Sequence, residues 1–96
     1  MRKANDKTLK DAIEQMMQVY KLKRKFNETS VIANWPQLVG TSVANRTKEI
    51  YISDKKLFVR IESSVIKHEL MLIRAQIIQK INDEAQEVVV EEVIFL

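Results

Sequence analysis

Apolar residues recur along this chain with two different periods, and the change of period divides it into helical and extended parts. Leu9, Ile13, Met16 and Tyr20 follow at intervals of four, three and four, with Asp11, Glu14, Gln15 and Gln18 between them, a spacing that predicts an amphipathic helix. Asn5, Asp6 or Thr8 can cap it. Over residues 28–39, Val31, Ile32, Trp35, Leu38 and Val39 form a second helical stripe. Pro36 is expected to break it at Trp35-Pro36, because proline lacks an amide donor and biases its predecessor away from helix. Gly40, the only glycine, is expected to end or hinge this segment.

Beyond Arg46 the period becomes two. Ile50 and Ile52 alternate with Glu49, Tyr51 and Ser53, and Leu57, Val59 and Ile61 alternate with Phe58, Arg60 and Glu62. With Ser53-Asp54-Lys55-Lys56 as the turn, the two runs predict a β-hairpin. Ser63 or Ser64 can then start one long helix, since Ile66, Leu70, Ile73, Ile77 and Ile81 repeat at helical spacing, with its end near Asn82. Val88 to Leu96 is short and rich in β-branched residues, which predicts a last strand. The expected fold is α+β, order α, α (broken), β, β, α, β, with helices packed on a small three-stranded sheet.

Length and composition add limits. Ninety-six residues have room for one domain, spanning 1–96, and 46% hydrophobic with 30% charged residues is ordinary for a globular protein. No apolar run reaches the roughly 20 residues that cross a bilayer, so neither secretion nor membrane insertion is expected, and a reducing cytoplasm fits a chain without cysteine. Zero cysteines exclude disulfides and thiolate metal sites, and one histidine, His68, leaves no His-based metal or catalytic cluster within the chain. No cofactor is implied.

Charge is distributed unevenly. Residues 1–60 carry 13 Lys+Arg against 6 Asp+Glu, a balance of +7, whereas residues 61–96 carry 3 against 7, a balance of −4. A basic face for a polyanion and simple solvation by lysines both account for this. The candidate phosphate contacts are Lys21, Lys23, Arg24, Lys25, Arg46, Lys48, Lys55, Lys56 and Arg60. Lys21 to Lys25 is the densest cluster, and at the end of the first helix it would also complement the macrodipole. Tyr51 and Phe58 lie on the hairpin face opposite the aliphatic stripe, where they could stack bases or pack across strands.

No active site emerges, and the chain is expected not to be an enzyme. His68 lies between Lys67 and Glu69 on the polar side of the long helix and reads as solvated. Asp83-Glu84 and Glu91-Glu92 read as charged turns and edges, because neighbours on a strand point to opposite faces. A single glycine cannot build a phosphate loop or a dinucleotide fingerprint.

Trp35-Pro36-Gln37-Leu38-Val39-Gly40, Val43-Ala44, Arg46-Thr47, Ile52-Ser53-Asp54, Leu57-x-Val59-x-Ile61, Ser63-Ser64 and Glu69-Leu70 follow in an order that resembles the DciA family over nearly the whole chain. The resemblance implies a fold similar to the type II K-homology domain and a role as loader or regulator of the bacterial replicative helicase, with sequence-nonspecific DNA binding. At the matching positions Trp35, on the helical apolar stripe, reads as a core anchor rather than a base-stacking residue and Gly40 as structural, while Glu69 is either a local cap or bridge or a helicase contact. The Gly-x-x-Gly clamp of true K-homology domains is absent, so their RNA-binding mode does not transfer. Many relatives carry an extra disordered or basic segment; this chain is expected to end at the domain and to hold DNA more weakly. A general RNA- or ribosome-associated binder using the same cations is the alternative.

Overall fold

The computed structural model describes the backbone of residues 2–96 and the side chains of residues 8–96. A 32-residue helix, α1 (Arg2–Ala33), is followed by two single-turn helices, α2 (Trp35–Val39) and α3 (Thr41–Asn45). The hairpin β1 (Thr47–Ser53) and β2 (Lys56–Ile61) comes next, then α4 (Ser64–Leu72), α5 (Arg74–Ala85) and β3 (Glu92–Phe95). The sheet is mixed: β2 lies in the middle, antiparallel to β1 and parallel to β3. This is the expected α+β architecture, and its element order is compatible with the type II K-homology resemblance.

Helices cover one face of the sheet only. Leu57, Val59 and Ile61 alternate inward from β2 and are buried with Val31, Trp35, Leu70, Ile77, Ile81, Val89, Val90 and Val93. Ile50 and Ile52, opposite Val59 and Leu57, complete that face from β1. The hairpin closes through Asp54 and Lys55, both at positive φ (52° and 59°), the two-residue geometry that matches the twist of the strands.

Trp35 locks the helical half to the sheet. It is 2% exposed, and its indole Nε1–H donates to Thr47 Oγ1 at 3.0 Å, while that hydroxyl donates to the Val43 carbonyl at 2.9 Å. The amphipathic indole thus buries its rings and satisfies its one donor. Pro36 sets the break, as expected: α1 ends at Ala33, and α2 begins with proline in its first turn, where no amide donor is needed. Gly40 separates α2 from α3 at φ 98°, ψ 153°, a region open essentially to glycine alone.

Three sequence expectations are corrected. The first helical stripe and the start of the second, Val31 and Ile32, share one helix, because nothing between residues 2 and 33 breaks it: that stretch lacks glycine and proline and is rich in Lys, Gln, Glu, Met and Ala. Since α1 already includes positions 5, 6 and 8, none of Asn5, Asp6 and Thr8 stands at its start. Leu9, Ile13, Met16 and Tyr20 are exposed and pack on no core, because α1 runs out past the sheet and only its last turns meet the other elements. The radius of gyration, 17.9 Å, exceeds the about 12 Å of a compact chain this long.

The long helix after the hairpin is in fact two. Ile73 leaves helical geometry (φ −107°, ψ 19°), and its N–H bonds to Leu70 three residues back at 3.2 Å, so the α-helical ladder is interrupted there. Leu70, Ile77 and Ile81 reach the core from either side of the break, while Ile73 itself is exposed. Ser63 caps α4 by accepting from the Ile66 N–H at 3.3 Å. The last strand is also shorter than the β-branched run, because residues 88–91 form an extended link whose backbone is held by a side chain instead of a neighbouring strand. Asn82 Oδ1 accepts from Val89 N–H at 2.9 Å and Val90 N–H at 3.0 Å, and Asn82 Nδ2 donates to the Val90 carbonyl at 2.8 Å.

Two stability predictions follow from these positions. Asn82→Ala strands the Val89 and Val90 backbone groups in the core, and chemical denaturation is expected to show a loss of about 2–4 kcal/mol. Gly40→Ala meets no atom within 4 Å of the added Cβ, so its cost is backbone strain alone. A loss of about 1–3 kcal/mol is expected, read as a lower thermal midpoint with the far-UV spectrum retained.

Candidate nucleic-acid interface

Folding pairs the cations of the first part of the chain with the carboxylates of the second. Lys23 meets Glu87 at 3.2 Å, Lys48 meets Glu62 at 3.2 Å, and Lys55 meets Glu91 at 4.0 Å. Within residues 1–60, Arg24 pairs with Glu28 at 3.7 Å, one helical turn on, and Arg60 with Glu49 across the hairpin at 3.3 Å. Apart from Glu28, which is mostly covered, both members of every pair are solvent-exposed, where such contacts contribute little to stability and exchange readily for other partners. Among the nine candidate phosphate contacts, Lys21, Lys25, Arg46 and Lys56 have no ion pair within 4.0 Å among the described residues.

The nine cations do not share one face. Successive helix positions advance by about 100°, so Lys21, Lys23, Arg24 and Lys25 ring α1. The cluster lies within the helix and not at its end, eight residues before Ala33, which corrects the expectation that it complements the C-terminal dipole. On the hairpin, Arg46 and Lys48 stand at the open end and Lys55 and Lys56 at the turn, separated by the length of a seven-residue strand, about 23 Å. Segment 87–91 links the helical cluster to the turn. Glu87 accepts from Asn27 and pairs with Lys23, and four residues on, Glu91 donates its backbone N–H to the Lys55 carbonyl at 2.7 Å.

The uncovered face of the sheet carries Glu49, Tyr51 and Ser53 from β1, Lys56, Phe58 and Arg60 from β2, and Glu92 and Ile94 from β3. Tyr51 and Phe58 stack on one another across the strands, with ring centroids 4.8 Å apart and planes 12° from parallel. Each ring therefore already has an aromatic neighbour, which supports the cross-strand packing reading. Tyr51 keeps 39% of its surface exposed at the sheet edge, with Lys56 and Arg60 on the same face.

Trp35 is buried in the core, and Gly40 stands at a positive φ that favours glycine. His68 and Glu69 are exposed on α4, and neither side chain has a hydrogen bond or ion pair among the described residues. Among the described residues no group of three His, Cys, Asp or Glu side chains could hold a metal ion, and no helix is long and apolar enough to cross a membrane. A concavity of about 160 Å³ lies between α1, α2 and α5 and is lined by Phe26, Val31, Leu38, Ile81 and Ala85 among others.

Sequence reasoning missed two features that organise this surface. Periodicity gives Asn82 only a place at a helix end, although an asparagine just before a polar turn and a buried valine run is well suited to hold backbone. Met17, Val19, Leu22 and Phe26, beside the first stripe, are exposed as well. With the first stripe they spread over more than half of the helix circumference, wider than the face of an ordinary core-packed helix.

Comparison with known proteins gives three findings. A curated relative, "UPF0232 protein" from Corynebacterium glutamicum (strain R), is 37% identical over 54 residues, which are 56% of this chain and 30% of that protein. The chain thus spans less than a third of that relative's length. No solved structure matches it. Residues 8–95 match the family described as "Dna[CI] antecedent, DciA", from the first described side chain of α1 to the last residue of β3, and the chain belongs to the DciA family.

Proposed function

We propose that this protein is a non-catalytic binding module that contacts the bacterial replicative helicase and DNA and assists placement of one on the other. The observation that carries the reading is the family match over residues 8–95. The absence of a glycine-rich phosphate loop agrees with it: with Gly40 as the only glycine, no Walker-type cradle can form. The mechanism is positioning. A protein that hydrolyses no nucleotide moves a helicase between states only through binding energy that differs between those states.

DNA contact falls to exposed cations, chiefly Lys21 and Lys25 on α1 and Arg46 and Lys56 on the hairpin, which need give up no internal ion pair to meet a phosphate. Lys23, Arg24, Lys48, Lys55 and Arg60 join by exchanging an exposed carboxylate for a phosphate, a near-balanced trade in water. Such contacts read no sequence. The protein acts in the cytoplasm, where both proposed partners reside.

Mixing the protein with the replicative helicase of the same cell, with and without single-stranded DNA, tests the reading by size-exclusion chromatography with light scattering. Co-elution at a defined stoichiometry is expected; separate elution in both conditions, with tight RNA binding instead, sinks it in favour of a ribosome- or RNA-associated role. The Lys21→Glu/Lys25→Glu variant is expected to lower the salt slope of single-stranded DNA binding by about 0.7 for each lost phosphate contact. Lys48→Ala, which removes a cation already paired, is expected to change it less.

A further inference from the structure

The exposed half of α1 carries an apolar face without an intramolecular partner. Every described side chain from Thr8 to Phe26 is exposed, and Leu9, Ile13, Met16 and Tyr20, aligned along one side of the helix, are 51–70% exposed. Met17 and Val19 flank them at 51% and 64%. Six such side chains, each presenting on the order of 100 Å², make a stripe of roughly 600 Å², at the upper end of what a monomer leaves in water. A helix with no packed face is also marginal in water, since most helical stability in proteins comes from burial of that face.

The spacing of the stripe identifies its occupant. Leu9, Ala12, Ile13, Met16, Met17 and Tyr20 are placed symmetrically about the midpoint between Glu14 and Gln15. A second α1 laid antiparallel across the first, on a two-fold axis at that midpoint, sets Leu9 against Tyr20, Ile13 against Met16, and small Ala12 against long Met17. Lys10 then lies beside Val19, where its aliphatic stem can cover apolar surface. The same patch serves both copies, as a two-fold contact requires.

Charge selects the direction. Parallel helices would set two Lys21–Lys25 clusters side by side, whereas the antiparallel pair puts them at opposite ends, about 25 Å apart along the axis. The antiparallel pair also opposes the two helix dipoles. Two stripes of this size bury about 1,200 Å² together, the lower bound of stable interfaces.

We infer that the projecting half of α1 is a dimerisation surface on which a second copy of this chain packs antiparallel through Leu9, Ile13, Met16 and Tyr20. This inference stands independently of the helicase reading. It gives each assembly two separated sets of cations from two copies of a small module.

Sedimentation velocity and light scattering of the full chain over a concentration series test it. A species of about twice 11.2 kDa is expected at micromolar concentration and above. Ile13→Glu and Met16→Glu are each expected to shift dissociation to at least tenfold higher concentration. Because neither side chain touches the core, tryptophan fluorescence and the cooperative unfolding of the sheet should stay as in the parent. The chain has no cysteine, so Leu9→Cys and Tyr20→Cys each introduce a single thiol. Mixed and mildly oxidised, they are expected to form mainly the mixed disulfide, and each alone to cross-link poorly. Efficient self-cross-linking of Leu9→Cys overturns the antiparallel arrangement. A chain that remains at 11.2 kDa throughout overturns the proposal, and if Ile13→Glu then abolishes binding to helicase or to anionic phosphatidylglycerol vesicles, that binder is the occupant instead.

Discussion

The carboxamide of Asn82 holds the chain where it leaves α5 and turns back toward the sheet. Residues 88–91 have no strand partner on which to place Val89 and Val90, yet both are buried. One side chain supplies what a neighbouring strand would: two acceptor contacts for consecutive amides and one donor for a carbonyl. That contact fixes where the extended link lies, and the Glu91 N–H then meets the Lys55 carbonyl, which sets β3 in register beside β2, Glu92 opposite Lys56. The parallel half of the mixed sheet depends on it. Because residues 87–91 also carry the carboxylates that meet Lys23 and Lys55, the same contact places much of the charge pattern.

Local periodicity made most of the fold legible. Alternation in residues 49–62 predicts the hairpin and its inward face, and Pro36 and Gly40 punctuate the helical half at the positions their backbone chemistry demands. The corrections share one physical origin. A stripe at helical spacing says that a residue lies on one side of a helix, and nothing about whether a neighbour covers that side. Leu9 to Tyr20 and Ile73 keep the spacing and lack the cover, while Leu70, Ile77 and Ile81 have both. Long-range register, such as the parallel pairing set by Asn82, is written in no single local period.

Charge was legible in amount and not in arrangement. The separation into a basic first part and an acidic remainder suggests opposed faces, but Lys23, Lys48 and Lys55 fold against Glu87, Glu62 and Glu91. Linear charge asymmetry thus reports which segments attract each other as much as what they attract from outside. Chains that fold by such attraction retain only the unmatched remainder as an external field, and here it is divided between α1 and the two ends of the hairpin.

The lone tryptophan has a consequence for observing the molecule. Trp35 sits at the joint where α2 meets the start of β1, sealed from solvent and hydrogen-bonded to Thr47, some fifteen residues beyond the last residue of the exposed stripe. Its emission is therefore a single-site reporter of that joint, blue-shifted while the indole is dry. Events confined to the free length of α1 are optically silent at this wavelength and fall instead to tyrosine, a signal that Tyr20 on the stripe shares with Tyr51 on the sheet. The tryptophan channel thereby reads the integrity of the core apart from the occupancy of the arm.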